Sequence, residues 1–399
     1  MATPLQIVQG TARLAFDSVG GITNTVERMH ETISRNPLLP PDRTTRAHGA
    51  IAAGVYAAIR GINSALGAGV DRSIGVIPDV ALESGHSITS IKMIAALNGV
   101  VGDHLEATSN PLATRMSLMT PQHEVPLDHE SLKDSVPIAS PHLLVLVHGL
   151  GMSELSWGRK GAPCIGERLH ADVDIAPLYL RYNTGRHIST NGQELAQQLE
   201  QLCAAWPVPV ESLSLIGHSM GGLVIRSACW YAGQESGSWL SKLQRVVCLG
   251  TPHHGSAVAK AGHGLTATMK KIPYIKPLAF GERLSAGIKD LRHGNLLDED
   301  WIGDHPDKPG PDKRQVLPLL EHVEYYFLAA TLGRHADDPL GHVLGDLLVR
   351  MESATGSHED DLRHLSIKPE NCRVFHQKNH FDLLDDAQVQ QQILDWFSV

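Results

Sequence analysis

The sequence predicts an α/β fold: a mostly parallel central sheet covered by helices on both faces. Two observations carry this. From about residue 140 onward, short continuous apolar runs alternate with longer segments of helical apolar spacing, and a glycine-flanked serine falls directly between one such run and one such helix. Unbroken apolar runs belong to strands buried on both faces, and their alternation with helices implies parallel crossovers. In such sheets, ligands sit at the carboxyl ends of the strands, so reacting residues should follow strand ends.

The amino-terminal segment, 1–110, is rich in Ala, Gly, Ile and Val. Thr11–Ser34 places Leu14, Val19, Ile22, Val26, Met29 and Ile33 at helical spacing, and Asn36-Pro37 ends the pattern. His48–Leu66 and Ser87–His104 repeat it. Three helices with core-facing stripes are expected here, a membrane-surface helix being the other reading. After Asn110-Pro111 the second region, 111–399, begins. Strands are expected at Leu143–Val147, Ile175–Tyr182, Leu213–Ile216, Val246–Leu249, Tyr325–Thr331 and Val374–Gln377. Helices are expected between them, including Asn191–Ala205, Gly221–Ala232 and Ala387–Phe397. An insertion, 256–320, carries several Pro and Gly residues and the apolar pieces Ile272–Phe280 and Leu296–Leu297. It reads as a cap over the site or as a peripheral excursion.

Composition excludes some classes. The net charge is −9 and no basic run exists, which argues against nucleic acid as a partner. Five scattered cysteines without a CxxC pair suit reduced thiols better than a disulfide framework. Residues Met1–Gly20 lack the pattern of a signal peptide, and no stretch of about 18 uncharged apolar residues is present. A cytoplasmic protein is expected. The 23 histidines include the pair His253–His254 but no HExxH or finger spacing, so no metal site is read from them.

Gly217-His218-Ser219-Met220-Gly221 is a G-x-S-x-G pentapeptide set between the strand Leu213–Ile216 and a helical stretch. A nucleophile on a sharp strand-to-helix turn needs that setting. Glycines two residues to either side let neighbouring chain pass, and the helix amino terminus offers free N–H groups to a developing oxyanion. A serine hydroxyl needs a base to take its proton. His376 and His380 qualify; His376 lies inside a strand-like run, so His380, just after it, is the expected base. A carboxylate must orient the imidazole. Asp346, on a short turn after Gly345, is the expected acid, with Asp337 and Asp338 as alternatives. The oxyanion hole needs two backbone N–H groups, expected from Met220 and from Leu150 in His148-Gly149-Leu150-Gly151.

These motifs, together with Leu249-Gly250-Thr251-Pro252-His253-His254-Gly255-Ser256 and Asn379-His380-Phe381-Asp382-Leu383-Leu384, resemble the lipase and GPI inositol-deacylase-like branch of the α/β-hydrolase superfamily over about residues 112–399. The Thr-Pro-His-His-Gly-Ser block is the most discriminating. That family usually has Gly-Asp-Gly-Leu-Val around the acid, where this chain has Gly345-Asp346-Leu347-Leu348-Val349. The resemblance implies an α/β-hydrolase fold and hydrolysis of a small-molecule or lipid-like carboxylic ester through an acyl-enzyme, without metal or organic cofactor. Peripheral membrane contact is compatible with it. An acyltransferase using the same triad and a non-catalytic scaffold are the alternatives.

Overall fold

The computed structural model describes residues 88–398, apart from 122, 137–138, 159–162, 257–284, 303–311, 336–337, 339–344 and 347. The expected helices Thr11–Ser34 and His48–Leu66, the apolar piece Ile272–Phe280 and Asp337 lie outside the described residues.

Eight strands form one sheet: β1 (Ser117–Met119), β2 (Glu124–Val125), β3 (His142–Val147), β4 (Ala176–Arg181), β5 (Ser212–His218), β6 (Leu243–Leu249), β7 (Glu324–Thr331) and β8 (Cys372–His376), in the spatial order β2-β1-β4-β3-β5-β6-β7-β8. From β4 to β8 every neighbouring pair is parallel, while β1 pairs antiparallel with both β2 and β4. All six expected strands are present. The chain runs from β3 outward to β4 and then crosses back past β3 to β5, so the connections reverse direction at β3. A crevice opens at such a switch point.

Period-two alternation sorts the apolar runs onto two faces. Leu143, Val145 and Val147 pack with Leu195, Leu199, Leu223, Val224 and Ala228 of helices α4 (Ile188–Ala205) and α5 (Met220–Gln234). Leu144 and Leu146 face the other way, onto Ile165, Leu169, Val389, Ile393 and Leu394 of α3 (Ile165–Val173) and α8 (Ala387–Phe397). The remaining helices are α1 (Ile88–Ala107), α2 (His129–Ser135), α6 (Ala286–His293) and α7 (Met351–Ala354).

Helix α1 docks closely on the loops that follow β3 and β4. A Cβ on Gly99 would come within 2.8 Å of the Gly151 Cα, and one on Gly102 within 1.9 Å of Asn183 Oδ1, so only glycine permits this approach. Asn183 Nδ2 donates to Gly102 O at 2.8 Å. The helix kinks there, at Val101 (φ −136°, ψ 20°). Ser285 Oγ donates to Gly99 O, and the Ala286 N–H donates to Asp103, tying α6 to α1. Leu296 and Leu297, expected within a cap, instead lie buried in the core cluster on the α4–α5 side of the sheet.

Candidate active site

Strand β5 ends at His218, and Ser219 turns the chain directly into α5 with φ 55° and ψ −121°. A non-glycine residue there is strained by about 1–3 kcal/mol and is held by its surroundings. The Ser219 N–H donates to Leu249 O at 2.8 Å, fastening the turn to β6. A Cβ on Gly221 would lie 2.2 Å from Val147 O, and one on Gly222 would lie 2.1 Å from Thr251 Oγ1. These two glycines let α5 start against the ends of β3 and β6.

Asp346 and His380 come from the loops after β7 and β8 and meet in a fully buried contact. His380 Nδ1 donates to Asp346 Oδ2 at 2.6 Å. The other carboxylate oxygen, Oδ1, accepts the Leu348 and Val349 N–H groups at 2.9 and 2.7 Å. The His380 N–H donates to Asp346 O, so backbone and side chain both bind the two loops together. Gly345 supplies the turn with φ +53°; a Cβ there would lie 2.0 Å from Val349 O. The glycine this turn requires therefore stands before the acid. His380 Nε2 is buried without a hydrogen-bond partner among the described residues, leaving it able to accept a proton. His218 Nε2 contacts His380 O at 3.1 Å, with the two rings 4.8 Å apart. Gly149 reaches the serine from the β3 side: a Cβ on it would lie 3.0 Å from the Ser219 Cβ.

The other candidates stand apart. His376 ends β8, on the strand itself. Asp338 accepts from the Arg334 N–H in an exposed loop turn.

The loop expected to form the oxyanion hole is held by residues the sequence reading passed over. Tyr182 Oη donates to His148 O at 2.8 Å, and the Gly151 N–H donates to Thr184 Oγ1 at 3.0 Å. The N–H groups of Leu150 and Met220 donate to no acceptor among the described residues. The His148 ring stacks on Tyr182 at 4.5 Å and bonds Gly149 O through Nδ1. The only sequence signal for Tyr182 and Thr184 was their place just after β4, next to the β3 end.

Burial holds the His148 ring at about 4, against an ordinary 6.5, with its hydrogen bond to Gly149 acting in the opposite direction. The folded state therefore keeps this ring neutral while the unfolded chain protonates first. Its stabilisation is complete above about pH 6.5 and falls as pH drops toward 4. Between pH 6.5 and 5 the loss is about 2 kcal/mol from this ring. Urea unfolding at the two pH values should show it, and His148→Phe, which keeps an aromatic ring on Tyr182, should remove that part of the drop. An unchanged drop in the variant would assign the pH dependence to other groups.

A serine at a strained strand-to-helix turn and a buried His–Asp pair, both at the carboxyl ends of this parallel sheet, define an α/β-hydrolase. The family model described as "Putative serine esterase (DUF676)" matches residues 138–287, from the start of β3 through Ser219 and β6 into α6. By this fold and this match, the chain is a serine ester hydrolase with the α/β-hydrolase fold. Solved structures similar to it include a mature lipase of Bacillus licheniformis, BlEst2 (17% identity, TM-score 0.43, covering 65% of this chain and 92% of that one). Another is a lipase-esterase related protein of Clostridium acetobutylicum (15%, TM-score 0.33, 64% and 94%). A third is the thioesterase RedJ of Streptomyces coelicolor (18%, TM-score 0.35, 66% and 91%). No curated protein matches the sequence. Among the described residues, no helix is long and apolar enough to cross a membrane.

Proposed function

We propose that the chain hydrolyses carboxylic esters of lipid-like acyl groups through an acyl-enzyme on Ser219. His380 Nε2 takes the hydroxyl proton as Oγ attacks the ester carbonyl, and the Leu150 and Met220 N–H groups receive the developing oxyanion. The proton then passes to the leaving alkoxide as the C–O bond breaks. Water, deprotonated by His380, repeats the sequence on the acyl-enzyme and releases the acid. Asp346 holds the Nδ1–H tautomer that leaves Nε2 free to accept. The observation that carries this reading is the buried 2.6 Å His380–Asp346 contact beside the strained serine turn. The lipase and GPI inositol-deacylase-like motifs support the lipid-like acyl class, and contact with a membrane surface at the moment of substrate uptake fits that class. Five cysteines without a disulfide among them support a cytoplasmic setting.

Rates on p-nitrophenyl esters from acetate to palmitate test it. Each methylene entering an apolar wall contributes up to about 0.8 kcal/mol, or about fourfold in kcat/KM. The profile should climb from acetate through butyrate or hexanoate and then level. A flat profile would remove the lipid-like acyl class. Failure to turn over any ester, with no labelling by a fluorophosphonate probe, would remove the acyl-enzyme.

A further inference from the structure

The Thr-Pro-His-His-Gly-Ser block takes no part in the chemistry above, yet it borders a cavity of about 280 Å³ on the α5 side of the sheet. Arg226, two turns along α5 from the nucleophile, lines this cavity together with His253, Arg314 and Arg363. Among the described residues, no carboxylate lines it. Arg314 is paired with Asp312, and Arg363 lies 3.6 Å from both Asp312 and Asp360. Those two arginines therefore have counter-charges. Arg226 has none among the described residues, although it is buried. Among those residues its guanidinium reaches Leu317 O at 2.9 Å and His253 Nδ1 at 3.4 Å.

The second of these contacts fixes a proton. An arginine can only donate, so His253 Nδ1 must accept, and the neutral ring then carries its proton on Nε2. Burial, reinforced by the nearby Arg226 charge, holds His253 well below its ordinary pKa, so the ring is neutral at pH 7. On the other edge of the ring, which stacks at 4.2 Å on Phe327, Nε2 is buried without a hydrogen-bond partner among the described residues. The cavity is thus bordered by a buried cation that has no carboxylate partner among the described residues. Burying such a charge unpaired is unfavourable, and an oxyanion at the guanidinium would satisfy it. At the mouth, Leu362 and Val316 are exposed and apolar, which suits a ligand whose anionic end is carried on an organic group.

We propose that this cavity is a phosphate-binding site, separate from the ester-hydrolysing centre, with Arg226 as the buried donor and Arg314 and Arg363 at its wall. The phosphate could arrive as the inorganic ion or on a monoester. The probes are inorganic phosphate and glycerol 3-phosphate, titrated at fixed ionic strength with sodium chloride as the counter-titrant and acetate as the carboxylate control. Saturable binding by calorimetry, with a matching rise in Tm, is expected for phosphate and not for chloride or acetate. Tighter binding of glycerol 3-phosphate would identify a monoester as the source, and equal or weaker binding the free ion. Arg226→Met should weaken phosphate at least tenfold, about 1.4 kcal/mol. Should that buried variant fail to fold, Leu362→Asp places a negative charge at the mouth from a position that is 76% exposed, and it should weaken phosphate while leaving Tm in phosphate-free buffer unchanged. The same response in parent and folded variants, a response to acetate alone, or no saturable binding by the parent overturns the site. Ester hydrolysis is not the readout, so this outcome stands apart from the function proposed for Ser219.

Discussion

Ser219→Ala is expected to leave a folded protein whose ester hydrolysis is slower by a factor of about 10³ or more, because nucleophile, base and acid act as a unit. The fold should tolerate the change. The Ser219 hydroxyl makes no hydrogen bond among the described residues, and the turn is held through the Ser219 N–H and the flanking glycines. Alanine also keeps a Cβ at the same backbone angles, so the local strain is unchanged. The measurement is kcat/KM on p-nitrophenyl butyrate, with circular dichroism and Tm as the control on folding. Residual activity within tenfold of the parent would place the nucleophile elsewhere, and the fluorophosphonate adduct would then be sought on another serine.

Asp346→Asn is the second large effect, expected at about 10³–10⁴ in kcat. The carboxylate has two separate duties. Oδ1 accepts two backbone N–H groups that shape the turn, and Oδ2 accepts the His380 Nδ1 proton. Asparagine can keep the first duty with its carbonyl oxygen, so the turn should survive. Its amide nitrogen then faces His380 Nδ1 and, being a donor, forces that nitrogen to accept. The imidazole proton moves to Nε2, and the base can no longer take the serine proton. Asp338→Asn should cost little, since Asp338 receives the Arg334 N–H in an exposed loop turn, away from His380. A larger loss at Asp338 than at Asp346 would move the acid into the 337–338 loop.

How far the sequence could be read depended on where each signal lay. The six parallel strands announced themselves because burial on both faces leaves unbroken apolar runs such as Leu143–Val147. The antiparallel edge did not, since β1 and β2 span three and two residues and offer no run long enough to read. The places of Ser219 and His380 in the fold were legible because strand–turn–helix context and position after the last strand are local features. The clamp of Tyr182 and Thr184 on the oxyanion loop was not, because each contact joins residues more than 30 positions apart. Around Asp346 the sequence shows Leu347 in place of the family's glycine, while the need for glycine at 345, with its positive φ, is a matter of backbone angle that no local pattern reports. Leu296–Leu297 looked like part of a cover for the same reason that core leucines and cap leucines look alike: spacing reports apolarity, and only the neighbours decide what is buried against it.

The backbone at Ser219 sets stability and chemistry against each other within one residue. At φ 55° and ψ −121°, glycine would sit at ease where serine is held under strain. Selection for thermal endurance alone would therefore drift toward glycine at 219 and lose the hydroxyl. The strain is worth about 1–3 kcal/mol, against a total of about 5–15 kcal/mol for a folded domain. Serine at this position is thus a stabilising substitution forgone, which is the cost expected of the proposed nucleophile. The same reasoning ranks positions for engineering: tougher variants should come from the helix layers remote from this turn, where added stability does not compete with the nucleophile.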